Sequence, residues 1–230
     1  MPALVSVVVP VFNGLPYLRE LASALLAQDY PALEIVFSDG GSTDGSRAWL
    51  ATLDDPRVRV IDAPPNSGAA GNWTHATQAA TGEFIKLVCQ DDLLRPDALT
   101  RQVQALQAHP TAVMAIARRD IIDARGGVVS RSRGGQGLTA GLVPGTDVIR
   151  ACWLQGTNVV GEPVTVLFRR EPLLASMPWR DDNPLMLDIV TYAAVAPRGD
   201  VWVDDASIGA FRVSSSSWST RLAGVQHAQF

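Results

Sequence analysis

Apolar positions in the first half of the chain switch repeatedly between a strand-like and a helix-like period. Val5-Ser6-Val7-Val8-Val9 is a β-branched run ended by Pro10, and it predicts a strand buried on both faces. Between Pro16 and Gln28, Leu18, Leu21, Ala22, Leu25 and Leu26 fall on one helical stripe. Glu34 to Phe37 predicts a second strand, which leads into the polar turn cluster Ser38 to Gly45. A short helix follows with Trp49, Leu50 and Leu53 inward. Then come a strand at Val58 to Ile61, an Ala-rich helix from Gly68 to Thr81, and a strand at Phe84 to Val88. Pro96 stands at the start of a helix running to Ala108, and Val113 to Ala117 predicts a further strand.

The alternation implies right-handed crossovers and a largely parallel sheet. In such a sheet, ligands bind beyond the carboxyl ends of the strands. The polar clusters after the first strand (Asn13, Gly14), the second (Asp39 to Asp44) and the fourth (Gln90 to Asp92) are therefore expected along one edge.

The second half is less regular. Arg118 to Arg133 mixes arginines with short apolar pairs, and Gly126-Gly127 marks a turn. Ser132 to Gly145 is Gly-rich without a period and reads as a loop over the site or an insertion. Strands are predicted at Val164 to Phe168, Val201 to Val203 and Ile208 to Phe211. A helix is predicted at Leu185 to Val195, and a serine tract spans Ser214 to Ser217.

Composition narrows the class. The chain has 230 residues, 47% hydrophobic and 18% charged, and a mean hydropathy of +0.12. That supplies a sizeable core and excludes a disordered chain. A formal charge of −4 argues against bulk attraction to nucleic acid. No apolar run reaches the length of a membrane span, and the start of the sequence lacks a signal-peptide pattern. A cytoplasmic protein is expected, with attachment to the inner face of the membrane left open. Cys89 and Cys152 are too few for a disulfide framework and read as reduced core residues.

The first strand is not followed by G-x-G-x-x-G, by a P-loop, or by the cation-bearing glycine loop of nucleotidyltransferases. What remains at the strand ends is acidic: Asp39, Asp91 and Asp92. Each acid alone reads as an ordinary turn or helix cap. Carboxylates sharing a strand edge instead suggest Mg²⁺ or Mn²⁺, which joins one or two carboxylates to substrate phosphates.

Four segments in order then resemble family 2 glycosyltransferases. These are Val5 to Gly14 with Tyr17-Leu18 and Ser23 to Pro31; Phe37 to Ser46; Asn66-Ser67-Gly68 through Ile85; and Gln90-Asp91-Asp92. The likeness is dense over residues 4–110 and thin beyond. It implies a GT-A type α/β fold: a Rossmann-like, mostly parallel central sheet flanked by helices, with a less regular acceptor-side portion. A single domain of 1–230 is expected, with 1–117 as the nucleotide-sugar half and 118–230 as the acceptor half.

The resemblance also implies roles. Pro10, Val11, Phe12 and Asn13 line the base, and Asp39 hydrogen-bonds its edge. Asn66, Gly68 and Asn72 sit near the ribose and diphosphate. Gln90, Asp91 and Asp92 take the place of the Asp-x-Asp signature, with Asp92 meeting the metal and Asp91 the ribose or sugar. Gln90 replaces the signature's first acid. Arg212 stands where the family often shows Arg then His, with Ser214 in place of that His. Asp188 is the best match for the general base, because an acid in an apolar helix needs a cleft or a partner. Asp181 and Asp182 are its rivals.

His75, His109 and His227 are read as structural or exposed. Trp73, Trp153, Trp179 and Trp202 are read as core, with sugar stacking as the alternative for Trp153 or Trp179. The arginines of 118–133 are read as a solvated face, with an anionic acceptor as the alternative. The expected function is a metal-dependent, inverting transfer from a nucleotide-diphosphate sugar, UDP-linked first, to a saccharide or lipid-linked acceptor in surface polysaccharide or glycan synthesis. A degenerate nucleotide-sugar-binding domain is the rival.

Overall fold

The structure is a computed structural model, and it describes residues 2–180, 182 and 186–214. Asp181, the serine tract beyond Ser214 and His227 lie outside the described residues. In chain order the elements begin with β1 (Val5–Val11), α1 (Tyr17–Leu26), β2 (Leu33–Asp39), α2 (Ser46–Leu50), β3 (Val58–Asp62), α3 (Gly68–Gln78) and β4 (Phe84–Leu87). They continue with β5 (Leu93–Leu94), α4 (Ala98–Ala108), β6 (Ala112–Ile122), β7 (Val128–Arg133) and β8 (Gly141–Pro144). The last are α5 (Gly145–Gln155), β9 (Val166–Arg169), α6 (Arg170–Leu174), α7 (Leu187–Val195) and β10 (Asp200–Arg212).

The strands form one ten-stranded sheet in the order β3-β2-β1-β4-β9-β6-β10-β5, with β7 beside β6 and β8 beside β10. The β3-β2-β1-β4 block is parallel throughout, as the βαβ alternation requires. β6 and β10 are also parallel, while β9 runs antiparallel between β4 and β6. Every residue of β1 is buried because helices cover both faces. Val5, Val7, Val9 and Val11 pack with Leu18, Leu21 and Leu25 of α1 and Leu99, Val103 and Leu106 of α4. Val8 packs on the opposite face with Ala70 and Ala76 of α3 and Tyr192 and Val195 of α7.

The second half holds more regular structure than its pattern predicts. The strand expected at Val113 to Ala117 runs on to Ile122 and returns as β7 through the Gly126-Gly127 turn. The two strands expected around residues 201–211 are one long β10, whose bulges interrupt the period-two pattern. Helix α5 escaped prediction because its stripe is broken: it turns Val148 and Cys152 inward and leaves Trp153 and Leu154 in solvent. No helix among the described residues is long and apolar enough to cross a membrane.

Candidate active site

The carboxyl ends of β1, β2 and β4 open onto one cleft of about 1830 Å³, whose other wall comes from α5, the 156–163 loop and the start of α7. Pro10, Val11, Phe12, Asn13, Asp39, Asn66, Gly68, Asn72, Gln90, Asp91 and Asp188 all line it. They come from five separate stretches of sequence.

Beyond the end of their ladder, the loops that follow β1 and β2 are fastened to each other by side chains. Asn13, in the left-handed region at φ 51°, donates its N–H to Ser42 Oγ and accepts the Thr43 N–H on Oδ1. Gly14 N–H donates to Ser46 Oγ at 2.9 Å, and Leu15 N–H to Asp44 Oδ2 at 3.0 Å. Asp39 is not in an exposed turn. It ends β2 at 4% exposure, and its Oδ2 accepts the Gly41 and Ser42 N–H groups. Its Oδ1 is buried without a hydrogen-bond partner among the described residues. Asn72 Nδ2 donates to the Val11 carbonyl, and its Oδ1 is likewise buried and unpartnered. Two unsatisfied acceptors lining one cleft call for a ligand that brings N–H or O–H donors.

At the β4 end, Gln90 spends its amide on the Phe12 backbone, accepting the N–H at 2.8 Å and donating to the carbonyl at 3.0 Å. Asp91 lies on the cleft wall, and Asp92 is fully buried. Asp92 Oδ1 accepts the Arg212 backbone N–H at 3.2 Å, while Oδ2 has no partner among the described residues. Burial, joined by the charge of Asp91, pushes the Asp92 carboxyl well above its ordinary range, and burial raises Asp91 too. Arg212, expected to touch substrate, does not reach the cleft. It is 1% exposed, and its guanidinium is held by the Asp91 carbonyl, Glu20 and the Asp123 carbonyl, over the Tyr17 ring. It ties the β10 end to the Asp91-Asp92 turn.

No cluster of three or more His, Cys, Asp or Glu side chains poised for a metal occurs among the described residues. The Asp91-Asp92 pair still fits a hard divalent ion, because such an ion takes one or two carboxylates and completes its shell with phosphate and water. The orphaned Asp92 Oδ2 beside a second carboxylate is the observation that supports that fit.

On the facing wall, Asp188 sits in the first turn of α7. Its Oδ2 accepts from Asn158 Nδ2 at 3.1 Å and its Oδ1 from the Ile189 N–H at 2.7 Å. Burial and the nearby Glu162 charge raise its carboxyl to about 7. Asp182, the described rival, forms an exposed pair with Arg180 and is absent from the cleft wall.

Sequence reasoning missed Asn158 and Glu162. Asn158 braces the loop by accepting the Val160 and Gly161 N–H groups. Glu162 lines the cleft and is paired with Arg119, which is therefore buried and not part of a solvated face. A polar Asn and Glu flanking an apolar pair just before a strand was the available signal. Cys89 also departs from its core reading: it lines the cleft, its thiol pushed up by burial and by the charges of Asp92, Asp91, Asp188 and Glu162. Trp153 is 83% exposed at the cleft mouth, not core, whereas Trp179 is buried edge-on to Trp73.

This arrangement of sheet, helices and strand-end cleft is that of GT-A glycosyltransferases. The family model for glycosyl transferase family 2 matches residues 6–174, and the chain belongs to that family. A putative teichuronic acid biosynthesis glycosyltransferase, TuaG of Bacillus subtilis, is 32% identical over 47% of this chain and 44% of its own length. S. aureus TarS bound to UDP-GlcNAc superposes with a TM-score of 0.72 at 21% identity, over 94% of this chain and 61% of that one. A mannosyltransferase from Pyrobaculum calidifontis, in complex with GDP-Man and Mn²⁺, gives 0.70 at 21% identity, over 99% and 62%. The chain spans between 12% and 44% of the first three curated relatives it matches.

Proposed function

We propose that the chain transfers a sugar from a nucleotide diphosphate to an acceptor hydroxyl, in a single inverting displacement supported by Mg²⁺ or Mn²⁺. The observation that carries this reading is the cleft itself. It has two unsatisfied acceptors at the β1–β2 end, Asp91 at the β4 end next to the buried Asp92, and a carboxyl of raised pKa on the opposite wall. Residues 1–117 would hold the donor and 118–230 would shape the acceptor side. TuaG's name and the UDP-GlcNAc and GDP-Man bound by the two structural neighbours support a nucleotide-sugar donor and a surface-glycan product.

In this reading Asp39 and Asn72 accept hydrogen bonds from the base and ribose. Asp92 would hold the divalent ion, with Asp91 at the ribose or sugar, and the ion supplies charge stabilisation for the departing diphosphate when bound. Asp188 takes the proton from the acceptor hydroxyl, whose oxygen attacks the anomeric carbon as the bond to the diphosphate breaks. Thermal-shift screening against UDP-, dTDP- and GDP-sugars, each with and without Mn²⁺, tests the reading. One donor class should raise the melting temperature, more so with Mn²⁺. No shift from any of them overturns it, and binding without turnover favours the degenerate-domain alternative.

The base contact gives a sharper expectation. Asp39→Asn keeps an oxygen for the Gly41 and Ser42 N–H groups but turns the free acceptor into a donor. Nucleotide affinity should fall roughly ten- to a hundredfold, the cost of a charge-assisted hydrogen bond of about 1.5–3 kcal/mol. The melting temperature should hold. Calorimetry with the nucleotide that binds the wild type checks this, and unchanged affinity removes Asp39 from the base pocket.

A further inference from the structure

We propose that Gln90 is a positioning residue: its amide locks the Phe12 backbone into the nucleobase wall and takes no part in holding diphosphate or metal. The role rests on the nucleotide-donor reading above.

The backbone ladder explains why such a lock is needed. β1 pairs with β4 only as far as Val8 and Leu87, followed by the bond from Val88 N–H to the Val8 carbonyl. Its ladder with β2 ends at Val11 and Asp39. Phe12 lies one residue past the ladder with β2 and four past the ladder with β4, yet it is 56% exposed and lines the cleft. The Gln90 side chain supplies the missing rung. It accepts from the Phe12 N–H and donates to the Phe12 carbonyl, the two-bond exchange that a strand residue would make.

Only an amide can do both. A carboxylate at position 90 would accept the N–H and face the carbonyl with a second oxygen, and the reversed amide would oppose like to like on both bonds. Gly14 is matched to this arrangement: a Cβ there would come within 2.7 Å of Gln90 Oε1. With both halves of the amide engaged, Gln90 is fitted to hold the base wall, and ion binding falls to Asp92.

The test uses Gln90→Glu and, independently, Gly14→Ala, which displaces the amide without touching it chemically. Affinity is measured by calorimetry for UDP, GDP and dTDP, with Mn²⁺ and again with EDTA. Exchange of the Phe12 amide hydrogen is followed by NMR in the free protein. Loss of the strap should weaken the nucleotide that binds the wild type by about tenfold, by the same factor with and without metal. Phe12 exchange should quicken in both variants, with little change in melting temperature. A loss confined to the Mn²⁺ series would make Gln90 a contact to the ion or diphosphate and overturn the proposal. Unchanged affinity, or unchanged Phe12 exchange, would overturn it equally while leaving the donor reading intact. Failure of the wild type to bind any of the three nucleotides would overturn both.

Discussion

Asp188→Asn should lower turnover by about 10²–10⁴-fold while leaving donor affinity nearly unchanged, because a lost general base is felt at the acceptor oxygen. The substitution keeps the shape and one oxygen for the Asn158 or Ile189 N–H donors, so the α7 start stays in place. Transfer of the donor sugar to water reads the effect before the acceptor is identified. In the wild type, the rate should rise with pH through an apparent pKa near 7, the value to which burial brings this carboxyl, and Asp188→Asn should lose that limb. A variant that keeps full turnover, or a rate profile flat between pH 5 and 8, would remove Asp188 from the chemistry.

The same carboxyl has a stability consequence of opposite sign. Its folded pKa, about 7, stands above its ordinary value of 3.8. Between those values the folded protein keeps a proton that the unfolded chain has released. Its favourable contribution is therefore complete below about pH 4 and is lost as the pH rises through 7. Asp188→Asn escapes this loss, so its melting temperature should match the wild type at pH 4 and exceed it at pH 8, by roughly 2–4 °C per kcal/mol recovered. A structural ion pair would give the reverse: a lower melting temperature at pH 8 and weaker donor binding.

The donor half was legible because its determinants are local. The β-branched run at Val5, the leucine stripe of α1 and the turn cluster after Phe37 each name an element, and parallel crossovers then force the strand ends together. What stayed hidden depends on long-range contacts. That Asp39 is buried, that Arg119 answers Glu162 across 43 positions, and that Arg212 spans from Glu20 to Asp91 cannot be read from neighbours in sequence. Helix α5 and the continuity of β10 were hidden for a different reason. One leaves its largest apolar side chains in solvent and the other carries bulges, so neither shows its period. Gln90 combines the two cases. Its departure from the signature was plain in the sequence, but its use became visible only once Phe12 was seen beyond the end of two ladders.

Asp92→Asn should abolish most of the Mn²⁺ dependence of nucleotide-diphosphate binding. Asp92 has no exposed surface; one oxygen takes the Arg212 N–H and the other has no partner among the described residues, with the Asp91 charge adjacent. A buried carboxylate in that position is costly as an anion unless a cation answers it. Asparagine keeps an acceptor for Arg212 and removes the charge. The metal-free protein should therefore be at least as stable as the wild type, which separates loss of the ion from loss of the fold. Titration of Mn²⁺ by calorimetry, with and without UDP, should show the ion's affinity falling about tenfold or more, the scale of one charge-assisted contact. Asp91→Asn should cost less, since the resemblance places Asp91 at the ribose or sugar. If Asp91→Asn abolishes Mn²⁺ binding and Asp92→Asn leaves it intact, the ion belongs to the cleft-wall carboxylate and Asp92 is its buried support. If neither changes it, the β4 end holds no metal and the charge on the departing diphosphate must be met elsewhere in the cleft.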